Sequence, residues 1–210
     1  MCQNWQHRNL RALSFDKDFD EMDLMTFLSQ SPSMTMSAAG AEFAALWKTR
    51  LIRKGAFLTQ QGEKETQEYV LLDGCATSQI HASDGTAVCV GLYHGPSVIT
   101  PHIARTKAQL SRVAIEATTD LLVAQMDAER LVEEMIRAEP VRNWANAILQ
   151  DALARKADRE WCLAALRGAD RLAWFRDNYP GYEALFVHTS IASFLGMTPV
   201  TLSRVRGQQR

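Results

Sequence analysis

Between Leu51 and about Met126 the chain alternates short apolar runs with glycine-marked turns. The runs fall at 56–59, 68–72, 76–81, 86–93, 112–117 and 121–126, and Gly55, Gly62, Gly74, Gly85 and Gly95 punctuate them. Short strands at spacings of about ten residues predict an antiparallel β-roll or jelly-roll. Ser83-Asp84-Gly85 predicts a hairpin turn inside it. On either side the period becomes helical. Ahead of the strands, residues 38–50 are rich in helix formers, with Phe43, Leu46 and Trp47 on one face. Behind them, Asp127 can cap a helix that must stop before Pro140. A second helix carries Val141, Trp144, Ala145, Ile148, Ala152 and Arg155 along one side. After the charged segment 155–160 a third helix runs up to Tyr179-Pro180-Gly181. Residues 1–27 have no clear period and read as an arm or a short irregular helix.

The last twenty-odd residues carry the sharpest local signal. Ser190 or Thr189 can cap a short helix whose apolar face is Ile191, Ala192 and Leu195. Gly196 can take the left-handed conformation of a turn. Thr198 can cap a second helix with Pro199 at its first position, where a missing N–H costs nothing. Leu202 and Val205 then face the first helix, while Ser203, Arg204 and Arg206 stay on or near the outer side, and no acid follows Glu183. Turn, cap and charge together predict a helix-turn-helix whose second helix enters a DNA major groove. A helical hairpin that merely closes a core is the plainer alternative.

Composition changes this picture little. The 210 residues are nearly neutral, at net −1, and 47% hydrophobic, as in ordinary globular proteins. From Glu160 onward, however, six arginines stand against four acids, a local cationic excess of the kind nucleic acid attracts. There is no run of apolar residues long enough for a membrane span, and the N-terminus lacks a signal-peptide core, so a cytoplasmic location is expected. Cys2, Cys75, Cys89 and Cys162 are not spaced as zinc or iron–sulfur ligands; the last three read as small buried hydrophobes. No nucleotide-hydrolysing loop and no nucleophile–base or metal-ligand pattern is present, and the acidic run around Asp16–Asp23 lacks the glycine and glutamate of a calcium loop, so no enzyme is expected.

A glycine-punctuated roll, a long helix and a terminal helix-turn-helix resemble, in that order, the Crp/Fnr family of transcription regulators. The resemblance covers roughly residues 28–210. In the roll it rests on K-G-A-F-L-T-Q-Q-G-E (54–63), Y-V-L-L-D-G (69–74), D-G (84–85) and Y-H-G-P-S-V-I (93–99). The more specific part is N-Y-P-G-Y (178–182) and I-A-S-F-L-G-M-T-P-V-T-L-S-R-V-R (191–206). It implies an α+β chain divided into an arm (1–27), a cyclic-nucleotide-binding-like sensor roll (28–126), linker and dimerisation helices (127–158) and a helix-turn-helix domain (159–210). It also implies a homodimer on a near-palindromic duplex site, with an effector read by the roll and RNA polymerase as a further candidate partner. For the stripe Val141, Trp144, Ala145, Ile148, Ala152 and Arg155 a core helix is the plainer reading and a dimer face the sharper one; both can hold, with Leu149 and Leu153 facing the chain's own domain.

The resemblance fails where ligand chemistry would sit. Cyclic-nucleotide binders of the family use Gly-Glu-Leu and, about ten residues later, Arg-Ser. Here those positions fall on Thr100, Pro101 and His102, and on Ser111 and Arg112, so the glutamate is missing and the arginine is displaced by one. One residue of displacement in a strand moves a side chain to the opposite face. Cyclic AMP binding in the usual mode is therefore not expected. Haem, which needs an axial ligand such as His81, His94 or His102, is the weaker alternative. Thr100, His102, Arg105, Thr106, Ser111 and Arg112 form a polar, cationic cluster that could hold an unidentified small anion.

By the same resemblance, bases are read by Thr198, Pro199, Val200, Thr201 and Arg204, with Arg204 bidentate to guanine, worth about 1–3 kcal/mol of discrimination. Arg206, Arg210, Ser190 and Thr189 fall to phosphates. The sequence ends at Arg210, about two turns into the reading helix, where relatives continue into a wing, so fewer phosphate contacts are expected. The rival reading is a ligand- or protein-binding roll with a vestigial helix-turn-helix.

Overall fold

A computed structural model describes residues 23–34, 38–99 and 109–208. Among these residues, eight strands form two four-stranded antiparallel sheets. The first has the order β1-β8-β3-β6: β1 (Lys48–Ile52), β8 (Leu121–Asp127), β3 (Gln67–Asp73) and β6 (Ser97–Ile99). The second has the order β2-β7-β4-β5: β2 (Phe57–Thr59), β7 (Ala114–Ala117), β4 (Cys75–His81) and β5 (Ala87–His94). The expected hairpin joins β4 to β5, with Gly85 left-handed at φ 84° and the Thr86 N–H donating to Asp84 Oδ1 at 2.9 Å.

The unbroken apolar runs of β3 and β8 follow from burial on both faces. Tyr69, Leu71, Leu121 and Val123 point between the sheets and meet Ala76, Ile115 and Ala117. Their neighbours Val70, Leu72, Ala124 and Met126 point outward under a cap of helices. That cap comprises α1 (Leu24–Ser29), α2 (Ala38–Ala45), α3 (Ala128–Arg137) and the start of α4 (Glu139–Ala165). Phe43, Trp47 and Trp144 lock it in edge-to-face contact, with ring centroids 5.5–6.4 Å apart. Asp127 caps α3 as expected, accepting from Glu129 N at 2.9 Å.

Several boundaries differ from expectation. The arm expected to end at residue 27 overlaps α1, whose Leu24 and Leu28 are buried in this cap. The helix expected over 38–50 ends at Ala45, because 48–52 pairs as β1 with β8. The expected breaks near residues 155–160 are absent: α4 is continuous for 27 residues, and the boundary drawn at 158 falls inside it. Lys, Arg, Glu and Ala are all good helix formers, so charge did not interrupt the helix. Beyond α4 come α5 (Gly168–Asn178), α6 (Tyr182–Leu185), α7 (His188–Phe194) and α8 (Pro199–Gln208). Their core of Leu172, Phe175, Ile191, Phe194 and Leu202 also takes in Cys75, Cys89 and Leu92 of the roll.

Candidate nucleic-acid interface

α7 and α8 form the expected helix-turn-helix. The turn is a Schellman motif: Gly196 is left-handed at φ 61°, Met197 N donates to Ala192 O at 2.9 Å, and Gly196 N donates to Ser193 O at 3.0 Å. Thr198 Oγ1 accepts from Thr201 N at 3.1 Å, so Thr198 caps α8 and Pro199 is its first residue. Leu202 and Val205 are buried, and fully buried Ala192 lets the helices cross closely. The start of α7 departs from expectation. The helix begins at His188 after Val187 with no side-chain cap, so Thr189 and Ser190 lie inside its first turn.

The outward face of α8 presents Val200, Thr201, Ser203 and Arg204, all exposed. Thr201 Oγ1 is 2.9 Å from Thr198 Oγ1, which engages its hydroxyl. Among the described residues no hydrogen bond or ion pair engages Arg204.

Three other arginines of the terminal excess, Arg171, Arg176 and Arg206, are occupied within the fold. Arg206 Nε donates to Glu183 Oε1 at 2.8 Å, and its Nη1 lies 2.7 Å from His188 Nδ1. Arginine can only donate, so His188 accepts through Nδ1 and donates through Nε2 to Pro199 O at 2.9 Å. Arg176 completes the cluster on Glu183. Burial pushes the Glu183 carboxyl up, but Arg176 and Arg206 outweigh it and hold the group below its ordinary value. Arg171, counted in the sequence as part of the cationic footprint, instead donates to four backbone carbonyls. Leu163 O and Leu166 O close the end of α4, at 2.8 and 2.9 Å; Leu195 O and Gly196 O form the turn, at 3.0 and 3.3 Å. Arg210 lies outside the described residues.

In the roll, Thr100, His102, Arg105 and Thr106 lie outside the described residues. Ser111 and Arg112 are described, and they separate. Ser111 is buried and its hydroxyl donates to Val113 O at 2.7 Å, whereas Arg112 is exposed. His94 packs its ring on Tyr182, with centroids 6.2 Å apart, and burial lowers its pKa; His81 is exposed at the end of β4. Among the described residues no group of three His, Cys, Asp or Glu side chains is placed to hold a metal ion. Cys75, Cys89 and Cys162 are free and buried, and desolvation pushes the thiols of Cys75 and Cys89 up to about 11.

The expected dimer face is corrected by the core. Val141 and Trp144 are buried within this chain's own helical cap, with Ala145 and Ile148 packed against it. Ala152 is buried as well, and Arg155 pairs with Asp151 at 2.6 Å. A second stripe of α4, running from the flank of this face round to its far side, carries Leu149, Leu153, Ala157 and Trp161 at four-residue steps; Leu153 is 52% and Trp161 56% exposed. Helical periodicity was read correctly, and the core reading of this stripe is the one these contacts fit.

No family profile and no curated protein matches the chain in sequence. Solved structures do match in fold. FixK2 from Bradyrhizobium japonicum is 20% identical and superposes with a TM-score of 0.66 over 77% of this chain and 83% of that one. The c-di-GMP responsive global regulator CLP of Xanthomonas campestris is 14% identical, with a TM-score of 0.64 over 81% and 90%. A regulator of the Crp/Fnr family from Eubacterium rectale is 19% identical, with a TM-score of 0.62 over 82% and 83%. The roll, the long helix and the terminal helix-turn-helix thus follow one another as in these proteins, and the chain has the Crp/Fnr fold.

Proposed function

We propose that this chain is a homodimeric transcription regulator that reads duplex DNA with α8 and whose β-roll senses an effector. The observation that carries this reading is the outward face of α8. A capped helix set against its partner by a Schellman turn leaves Val200, Thr201, Ser203 and an unpaired Arg204 at the surface. That is the chemistry of a major-groove reader: apolar contacts for thymine methyls and a planar fork for guanine. Arg206 acts chiefly as a positioning residue, holding α8 on α6 and α7 through Glu183 and His188. The dimer forms along Leu149, Leu153, Ala157 and Trp161, where small Ala157 lets two copies of α4 approach. Cyclic AMP does not bind in the usual mode, because Arg112 points out of the roll and the Ser111 hydroxyl is spent on its own backbone.

The test is selection of a preferred duplex from a random library, followed by anisotropy titrations. Arg204→Ala is expected to lose about 1–3 kcal/mol of preference between the selected and a scrambled duplex. Arg206→Ala is expected to weaken both duplexes alike. Equal effects of the two substitutions refute the assignment. No salt-dependent binding to any duplex at low ionic strength refutes DNA binding itself, in favour of a ligand-binding roll with a vestigial helix-turn-helix.

A further inference from the structure

A cavity of about 100 Å³ lies where the three parts of the chain meet. The roll contributes β5 and β6, α4 contributes Ala152, Arg155, Lys156 and Arg159, and the terminal unit contributes Tyr179, Tyr182 and Phe194. It is separate from Ser111 and Arg112, and none of its residues belongs to the face of α8 assigned to DNA.

Its charge is one-sided. Arg159 spans the junction and donates only to backbone carbonyls, Phe194 O at 3.1 Å and Cys89 O at 3.3 Å, while its guanidinium lies 4.7 Å from the centroid of the Phe194 ring. Lys156 has no carboxylate partner among the described residues, and desolvation together with neighbouring Arg159 lowers its pKa. Arg155 has one, Asp151, at 2.6 Å. Three cations thus line a small cavity against a single paired acid. The roll side of the cavity holds Ser97, whose buried Oγ has no hydrogen-bond partner among the described residues. Gly91, also on the wall, has no room for a side chain: a Cβ there would meet Ser78 Oγ and Tyr93 Oη. A buried hydroxyl without a partner is costly, and an anion brought against it would also engage Lys156, which no carboxylate among the described residues holds.

We propose that this cavity binds a small oxyanion, the phosphate or carboxylate group of a metabolite, through Arg155, Lys156, Arg159 and Ser97. The walls belong to the roll, the long helix and the terminal unit at once, so an occupant favours the arrangement in which these are docked together. A ligand shifts a conformational equilibrium only by its differential affinity, and here the complete site exists only in the docked arrangement. That consequence for DNA binding rests on the regulator reading above; the site itself does not.

The experiment is isothermal titration of the full chain with orthophosphate and, separately, succinate, at ionic strength held constant with sodium chloride and without DNA. Saturable binding of at least one is expected. It should weaken roughly tenfold or more in Arg155→Gln/Lys156→Gln, the loss of about one charge-assisted hydrogen bond, and stay unchanged in Lys48→Gln on remote β1. Both replaced side chains reach the surface, so the variant should keep the native circular dichroism. Phosphate alone, succinate alone or both give the proposal its preferred group. Absence of saturable heat for either anion overturns it, as does an isotherm unchanged in the double variant. A third overturning result is loss of affinity for a mixed-sequence duplex in the double variant as large as in Arg204→Ala, which would give these cations to the DNA backbone. Because the titration contains no DNA, a chain that fails to bind DNA can still pass it, and one that binds DNA can still fail.

Discussion

Glu183 shows how far a residue's role depends on partners the local sequence does not name. It sits in the short helix α6, yet Arg206 reaches it from 23 residues away and Arg176 from seven. Held between them, its carboxyl titrates below the ordinary glutamate value of 4.5, the arginines outweighing burial. A carboxylate whose pKa is lowered by folding contributes stability that is present above the unfolded pKa and lost as pH falls through the folded one. Wild-type stability from denaturant melts should therefore fall more than that of Glu183→Gln as pH drops from neutral through the range in which glutamate is protonated, by an amount limited by solvent screening at Arg176. Parallel pH profiles for the two proteins would show that the cluster contributes nothing. The same distinction separates what was legible here from what was not. Gly196 and Thr198 were readable because a turn and a cap are local matters of φ and of a bond three residues away. Arg171 and Arg206, counted in the sequence only as part of a cationic excess, have their partners on other helices, which local pattern does not reveal.

Among the elements, α4 was the most visible in its apolar period and the most ambiguous in its direction. Val141, Trp144, Ile148 and Ala152 recur at helical spacing whether they face a partner or the chain's own roll, and spacing alone does not choose. What chooses is Phe43 and Trp47 on the other side of the cap, whose rings close on Trp144. With that face occupied, the dimer reading moves to Leu149, Leu153, Ala157 and Trp161. Leu153→Glu should then shift the protein from dimer to monomer in sedimentation at micromolar concentration. Its melting temperature as a monomer should change little, because the side chain is half exposed. Affinity for a two-half-site duplex should fall with the dimer, while affinity for a single half-site should not. A dimer that survives Leu153→Glu unaltered removes this stripe from the interface. β1 escaped the sequence for a related reason: Lys48–Ile52 has no strand pattern of its own, and it is extended because β8 offers it a register from Lys48–Gln125 to Ile52–Leu121.

At the scale of the whole molecule, the regulator proposed above depends on the joint between roll and helix-turn-helix. β5 is the edge of its sheet, and an unpaired edge needs cover. α7 supplies it: Ser193 Oγ accepts from Cys89 N at 2.8 Å, so the first helix of the helix-turn-helix takes up a backbone donor of the roll. Arg159, projecting from α4, fastens both sides by donating to Cys89 O and Phe194 O while stacking on the Phe194 ring. None of this was readable from the chain, because it joins residues 70 and 104 positions apart through hydrogen bonds to backbone atoms, which leave no trace in side-chain pattern. The joint has few parts, so removing one should loosen it without unfolding either half. Arg159→Met keeps the aliphatic stem and forfeits the two carbonyl bonds and the stacking, a loss of roughly 1.5–3 kcal/mol from the docked arrangement. Hydrogen exchange at the Cys89 amide, which opens only when α7 lifts from β5, should accelerate by about ten- to a hundredfold, whereas exchange within α3 and the inner strand β8 should not change. If Cys89 stays as protected in Arg159→Met as in the wild type, the guanidinium does not hold the joint, and the coupling between roll and reading helix must run through α4 alone.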